Sequence, residues 1–527
     1  MLKLNFSLYW HTVRFLKPIQ IVYQVYYFTR KKIRYLRGFR YRFFLEKTGQ
    51  PIKFPLFILP KQSFLFKAKT FFFLNLSHDF GDTIDWGLSR YGKLWTYNLN
   101  YFDFLLQQGM DRETGIWLIS EFINKLPQNQ IGIEPYPTSL RCVNWVKFLS
   151  LHQVLDRNID ASLYAQYQIL LDNLEYNLLG NHLLENGFSL LFGAYYFQDD
   201  KLYAKAWKIL TSELKKQILL DGGHFELSPM YHQIILTRVL DSINLIQHNQ
   251  WKNNDLLFLL TESAQKMLGW LSVITFQNGD IPLFNDSAFG ITSITAELID
   301  YAGRLYVSSS RISLNESGYR KIARDNYEII IDVGPIGPDY IPGHAHSDTF
   351  NFELRVEGTP VVVDTGISTY EKNSRRQLER STISHNTVMI NSVEQSEVWG
   401  GFRVGRRAKV FKLKEEKDRI IASHDGYRRL GCIHTRIWKA ASKKIVIIDQ
   451  IRARKYMSCQ GFLHFAPGIK VKISGENVVA GLVMIKASGA DAITLEEYEY
   501  AFGFNKTVPS NRVVFSFKTE MELCINT

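Results

Sequence analysis

Apolar residues change their period partway along the chain, and that change is the first structural signal. From about residue 95 to 305 they recur at helical spacing, over 161–179, 201–220, 229–247 and 256–276, with several of these runs opening or closing at Gly, Pro, Asn or Asp. From about residue 325 the pattern becomes short β-branched and aromatic runs between turn residues: 327–333, 349–356, 359–365, 386–391, 419–424, 444–450 and 512–517. Helices first and strands afterwards predict two successive domains rather than interleaved βαβ units. Paired antiparallel helices of similar length suit an (α/α) toroid of helical hairpins, over 61–310. Many short, regularly punctuated strands suit an antiparallel β-sandwich, over 320–527.

Composition adds one correction to a first impression. The chain of 527 residues is 46% hydrophobic and 22% charged, which excludes a mainly disordered protein. Its net charge of +12 resembles a nucleic-acid signal until it is located. Residues 1–60 hold 12 Lys/Arg and one acid, Glu46, hence +11, and leave +1 for the other 467. The body is near neutral, so no nucleic-acid partner is expected. The basic arm 1–60, with Arg30-Lys31-Lys32-Ile33-Arg34-Tyr35-Leu36-Arg37, suits an anionic membrane surface or an anionic polymer; alternatively it docks on its own domain as a solvated helix face. No stretch has the roughly 18–20 uninterrupted apolar residues of a span. His11, Arg14 and Lys17 interrupt any signal-peptide core. The expected location is therefore the cytoplasm, at the membrane surface if the arm binds lipid. Cys142, Cys432, Cys459 and Cys524 form no CxxC pair, which argues against a disulfide scaffold and a zinc ribbon. Aromatics at 14% suit a carbohydrate-facing protein or a large core.

Polar clusters stand where packing does not ask for them. The helical half carries Leu94–Phe102, Glu134–Trp145, Gly180–Gly187 and Gly222–His232. The last two lie at helix ends, where rigid scaffolds tend to present function; alternatively Asn181 and Ser228 cap helices while His182 and Tyr231 are core residues. Trp95, Tyr97, Asn98, Tyr136, Arg141, Trp145 and His232 are candidate substrate contacts. The β half contributes Pro342–Asp348, Asp364-Thr365-Gly366 and Ser384–Thr387. His346, Asp364 and His385, 18 and 21 positions apart, suit a divalent metal such as zinc if their strand ends meet, and are hydrogen-bonded loop residues if they do not. The stretch Trp399–Arg407, with Arg375, Arg376 and Arg380 upstream, offers guanidinium groups for carboxylate or sulfate and a Trp face for a sugar ring. Trp399, Arg403 and Arg407 are its candidate contacts, unless the stretch is a charged edge strand.

Together these residues resemble the heparinase II/III and alginate lyase group of polysaccharide lyases. The most specific elements are Asn181-His182 with Glu185, the helix start Ser228-Pro229-Met230-Tyr231-His232, Gly343-His344-Ala345-His346, and His385-Asn386-Thr387. The resemblance runs from about Trp95 to the last strands and leaves the basic arm without a counterpart. It implies a toroid followed by a sandwich, with an acidic polysaccharide in the cleft between them. It also implies that Glu185 assists the catalytic residues, and that a structural metal, zinc first, sits on His346, Asp364 and His385; no organic cofactor is expected. The family's exported members make the periplasm the alternative location.

The expected chemistry is β-elimination of a uronic-acid polymer, whether heparin/heparan-, alginate- or capsule-like. The C5 proton lies beside a carboxylate, so the site must neutralise that anion, and Asn181 and His182 are the donors to do so. A base takes the proton and an acid protonates O4. Tyr231 is base, acid or both, and His344 or His182 is the partner base, according to the epimer cleaved. Two other readings are weighed. A glycoside hydrolase on the same scaffold needs two opposed carboxylates, and Glu134, Glu185 and Glu226 show no such pairing. A non-catalytic binding protein of capsule assembly has no need for Asn181, Tyr231 and His344 together.

Overall fold

Residues 6–60, 63–252 and 254–527 are described by the structure, a computed structural model. The helical half contains α3 (Lys93–Tyr101), α4 (Arg112–Lys125), α5 (Pro135–Leu151), α6 (Arg157–Asp172), α7 (Gly180–Phe197), α8 (Asp200–Gln217), α9 (Pro229–His248), α10 (Asp255–Ile274) and α11 (Thr295–Arg304). Asp111, Asp156, Asp199 and Ser228 cap α4, α6, α8 and α9 with their side chains, satisfying amides the helices leave unpaired. α7 packs on α5 and α8, and α9 on α10. Every residue of α7 except His182 is buried, so it is an interior helix, apolar nearly all round. The expected run 161–179 breaks early: α6 ends at Asp172, and Leu174 and Leu179 continue the apolar burial from a turn. The Gly180–Gly187 cluster, expected at a helix end, forms the first turns of α7.

Among the described residues the β half holds three larger antiparallel sheets and a two-stranded one, Val398–Trp399 with Arg403–Val404. One has eight strands, ordered Val410–Glu416, Arg419–His424, Cys432–Ala441, Lys444–Ala453, Glu520–Asn526, Val483–Ser488, Asn477–Ala480 and Val471–Ser474. A second pairs Ala492–Gly503, Lys506–Phe517, Cys459–His464 and Val388–Ile390, and a third Tyr319–Ala323, Tyr327–Asp332, Phe352–Val356 and Thr359–Val362. Their inner faces bury Ile329, Leu354, Trp438, Ile447 and Phe515, among others, in a core distinct from that of the helical half. The protein is thus a helical toroid followed by a β-sandwich. A small sheet of Phe64–Leu65, Thr70–Phe73 and Leu76–Asp79, which periodicity did not reveal, packs under Phe104 and Trp95.

The arm is helical and folded back. It forms α1 (Phe6–Val13) and α2 (Pro18–Leu36). α2 lies on the toroid, where Arg30 Nη1 donates to Asp172 Oδ1 (3.0 Å) and Tyr23 packs on Tyr176 (4.8 Å between centroids). α1 reaches the sandwich, where Arg406 Nη2 donates to Ser7 Oγ (2.6 Å) and Trp399 Nε1 to Thr12 Oγ1 (3.2 Å). No helix among the described residues is long and apolar enough to cross a membrane.

Candidate active site in the interdomain cleft

A cleft of about 1700 Å³ opens between toroid and sandwich, with residues of α1 and α2 along one side. Its chemistry begins where the chain enters α7. Leu179 (φ 67°) and Gly180 (φ 60°) both take left-handed conformations, an uncommon backbone for leucine. A Cβ on Gly180 would sit 2.5 Å from Glu226 Oε1, so the position needs glycine for space as well as for φ. That close approach lets Glu226 accept from Asn181 N (2.9 Å) and Asn181 Nδ2 (2.7 Å). The Asn181 amide nitrogen also lies 3.5 Å from His344 Nε2, which reaches the cleft from the sandwich side.

His344 is held by a buried carboxylate that sequence reasoning missed. Asp286 Oδ2 accepts from His344 Nδ1 (2.8 Å), and Oδ1 pairs with His346 Nε2 (2.8 Å). Arg376 Nη2 donates to Oδ2 (2.7 Å). Burial alone would raise the Asp286 pKa, but the Arg376 charge and the imidazole hydrogen bonds hold it well below the usual carboxylate range. With Nδ1–H donated to Asp286, the lone pair of His344 is on Nε2, facing Asn181 and the cleft. The Tyr231 ring, at the start of α9, stacks on the His344 ring at 3.8 Å and 29°. Its hydroxyl lies 3.3 Å from that of Tyr370. Burial raises the Tyr231 pKa above the ordinary phenol value, so the hydroxyl keeps its proton at neutral pH.

His182 is arranged differently. Its Nδ1 meets Glu175 Oε1 at 2.9 Å and its ring packs on Tyr136 at 4.6 Å. Burial opposes its charged form, yet the Glu175 carboxylate and its hydrogen bond outweigh that and raise the pKa. His182 is therefore biased towards imidazolium, a donor. Glu185 does not face the cleft: it is buried and accepts from Arg238 Nε at 3.2 Å, and it is Arg238 that lines the cavity.

The expected substrate contacts divide in two. Tyr97, Asn98, Tyr136, Trp399, Arg403 and Arg407 line the cleft. Trp95, Arg141, Trp145 and His232 do not, and correct the expectation: all four are fully buried or nearly so. Arg141 donates to Gln166 Oε1 (2.8 Å) and the Gly132 carbonyl (2.6 Å), and burial lowers its pKa to about 10. Trp145 packs on Phe102 and Phe122, and Trp95 on Phe73. His232 accepts from His224 N (3.2 Å) and contacts the Met267 carbonyl through Nε2 (3.0 Å). These residues are polar or aromatic enough to suggest ligand contact, but their contacts lie inside the toroid and not in the cleft. Arg407, though in the wall, is bound to Asp339 (2.8 Å) and stacked over Phe15 (3.9 Å). Arg376 and Arg380, taken as polyanion contacts, are buried; Arg380 donates to the Ala345 carbonyl (2.8 Å).

The expected metal set does not assemble as three ligands. Both Asp364 oxygens are engaged, Oδ2 with His385 Nδ1 (2.8 Å) and Oδ1 with Gly366 N (2.9 Å). No group of three or more His, Cys, Asp or Glu able to hold a metal occurs among the described residues. What fits a metal is narrower. His346 Nδ1 and His385 Nε2 are buried without partners, the rings lie 5.3 Å apart, and each second nitrogen is backed by a carboxylate. Asp364 is thus placed behind His385 and not as a ligand.

Asp286, Glu175 and Tyr370, none of them singled out in the sequence, complete the site, and Glu226 and Arg376 serve it as partners of Asn181 and Asp286. Asp286 had one visible signal: the polar triplet Asn285-Asp286-Ser287 lies between Leu283-Phe284 and Ala288-Phe289, and all three are buried. Comparison with known proteins places both halves of the chain. The model for the heparinase II/III N-terminus matches residues 145–313, and that for the heparinase II/III-like C-terminal region matches 307–527. A heparin-sulfate lyase of Bacteroides stercoris is 23% identical over 257 residues, 42% of this chain and 37% of that protein. One from Pedobacter heparinus is 24% identical over 248 residues, covering 40% and 36%. The matched stretch is thus little more than a third of the length of these curated relatives. A crystal structure of heparinase III superposes with a TM-score of 0.68 at 16% identity, over 85% of this chain and 79% of that one, which establishes the common fold. The chain belongs to the heparinase II/III family.

Proposed function

We propose that the protein is a polysaccharide lyase that cleaves a uronic-acid-containing acidic polysaccharide by β-elimination. The observation that carries this reading is the Tyr231–His344 pair: a protonated phenol stacked on an imidazole whose Nε2 faces the cleft, with the Asn181 amide (3.5 Å) and Glu226 Oε2 (3.6 Å) beside it. The names of the curated relatives support it. His182 as imidazolium and the Asn181 amide neutralise the substrate carboxylate, making C5–H acidic enough to remove. His344 Nε2 takes that proton. The C5 electron pair forms the C4–C5 double bond as the C4–O4 bond breaks, and the Tyr231 hydroxyl protonates O4. Return of the proton from His344 to Tyr231 restores the site with no co-reactant. Asp286 fixes the tautomer, and Glu226 holds Asn181 in place.

Two observations weigh against hydrolysis. Glu226 is committed to Asn181, and Asp286 to Arg376 and two imidazoles, which leaves neither as a carboxylate poised across a glycosidic bond. Incubation with heparan sulfate, alginate and uronate capsule polymers, monitored by near-ultraviolet absorbance, is the test. A lyase creates an absorbing double bond at the new end, whereas chain shortening without absorbance would establish hydrolysis. Binding without shortening would leave a polysaccharide-binding protein of capsule assembly.

Two further elements belong to the same proposal. His346 Nδ1 and His385 Nε2 would hold a structural divalent ion, zinc first, that braces the sandwich loops; no catalytic step passes through it. The arm 1–60 would meet an anionic membrane surface.

A further inference from the structure

The exposed face of α1 and α2 is a feature the cleft chemistry does not use. α2 docks by one stripe, Gln20, Tyr23, Tyr27, Arg30 and Arg34, at the three- and four-residue spacing of one helix face. Gln20 Nε2 donates to the carbonyls of Leu178 (3.1 Å) and Tyr340 (3.2 Å), and Arg30 and Arg34 are taken up by Asp172. Ile21, Gln24 and Val25 line the cleft. Other apolar residues are exposed: Val22, Phe28 and Leu36 are 62%, 60% and 82% exposed, with Ile19 and Ile33 beside them and Phe6 and Trp10 on α1. Patches of this kind on a soluble body mark an interaction surface. Lys31, Lys32, Arg37 and Arg40 are also exposed, and none takes part in an ion pair among the described residues. Residues 1–45 contain no Asp or Glu.

We propose that α1 and α2 form an interfacial helix pair that seats the folded protein on an anionic lipid bilayer, with Trp10, Val22, Phe28 and Leu36 entering the headgroup–acyl boundary and Lys31, Lys32, Arg37 and Arg40 meeting lipid phosphate. This deepens the membrane-surface part of the proposed function by assigning its residues. Three observations select lipid over other occupants. Apolar and aromatic residues bordered by unpaired cations match the requirements of an in-plane helix. A second copy of the chain would bring the same cations face to face with no acid to offset them. Gln20, Gln24, Arg30, Lys31, Lys32 and Arg34 exclude a span.

Flotation of the full chain with phosphatidylcholine vesicles, with and without phosphatidylglycerol, tests the seat independently of any turnover. Anionic vesicles are expected to carry at least about tenfold more protein than neutral ones at low salt, and high salt should weaken that binding because exposed charges are screened. Val22→Asp with Phe28→Asp, and separately Lys31→Glu with Lys32→Glu, should each reduce vesicle binding at least tenfold while leaving the unfolding midpoint unchanged. The second pair alters exposed cations only and keeps the test decisive if the first unfolds the arm. Equal binding to neutral vesicles, wild-type binding by the Lys31/Lys32 variant, or absence of binding to anionic vesicles would overturn the proposal. A dimer in sedimentation that the Val22/Phe28 variant dissolves, without vesicle binding, would assign the face to a second copy instead. Loss of lyase activity on every polymer would leave these outcomes untouched, so the two readings fail separately.

Discussion

Replacing Tyr231 by Phe separates chemistry from architecture more cleanly than any other change in the cleft. The ring stacks on His344 and lies against the toroid core, and Phe keeps both contacts. The hydroxyl has one hydrogen-bond contact, Tyr370 at 3.3 Å, long for an O–H···O bond, so its loss should cost below about 1 kcal/mol of stability. As the general acid, the same oxygen should contribute about 10²–10⁴ in rate. At about 1.36 kcal/mol per tenfold, that is about 3–5 kcal/mol of barrier. The measurement is initial rate by near-ultraviolet absorbance on whichever uronate polymer the wild type cleaves, alongside urea unfolding of both proteins. A turnover above a tenth of wild type would refute the proton-transfer role. A large fall in unfolding free energy would refute the claim that the hydroxyl is structurally idle.

Asp286→Asn should behave in the opposite way, losing stability and turnover together. It leaves the buried Arg376 without its counter-charge, a change that typically costs about 3–5 kcal/mol, and puts an amide group against His344 Nδ1; an unchanged urea midpoint would contradict the buried pairing. Gly180→Ala should depress turnover with a stability loss of about 1–2 kcal/mol from the left-handed φ alone, because the new Cβ displaces Glu226 from Asn181; full activity would show that this carboxylate need not hold Asn181. Burial lowers the His232 pKa from 6.5 to about 3. The unfolded chain therefore takes up that proton first as pH falls from 6.5, and stability drops through that window. His232→Gln should flatten this acid limb, and an equally steep fall in thermal midpoint from pH 6.5 to 4 would remove the argument. Elemental analysis of protein purified without chelator should find about one zinc per chain if His346 and His385 hold an ion, with a chelator lowering the thermal midpoint; metal-free protein of unchanged midpoint would end that proposal.

The division into helices and then strands was legible because period 3.6 and period 2 are imprinted on residues such as 229–247 and 419–424 by burial itself. The observed elements, Pro229–His248 and Arg419–His424, match those runs almost residue for residue. Asn181, His182, Tyr231 and His344 were legible as polar residues set in apolar surroundings at element ends. Trp95, Arg141, Trp145 and His232 looked the same and are core, because a sequence does not say whether a buried polar group meets another side chain or a ligand. Arg141 is satisfied by Gln166 and backbone carbonyls that lie elsewhere in the chain. Asp286 was missed for the complementary reason: its role is defined by Arg376, His344 and His346, at sequence distances of 58 to 90, which no local pattern encodes. The docking of the arm was open for the same cause, since its stripe is recognisable only once Asp172 and Tyr176 are in place.

The site is divided between the domains in a way that ties its chemistry to their packing. Asn181 and Tyr231 sit at the starts of α7 and α9, His344 comes from a loop of the sandwich, and Asp286 lies in the segment between α10 and α11. Asp286 is the bridge. Its carboxylate takes two imidazoles and a guanidinium from the β half, while its own backbone carbonyl accepts from Ser228 Oγ (2.7 Å), the residue that caps α9. The cap fixes where the first turn of α9 begins, and Tyr231 is the third residue of that turn. Ring stacking at 3.8 Å between Tyr231 and His344 therefore depends on one residue seen from both sides: its side chain places the imidazole and its main chain places the phenol. Relative movement of the domains would have to break the buried Asp286–Arg376 ion pair before it could separate Tyr231 from His344, so the spacing of these two rings is set by the interdomain core.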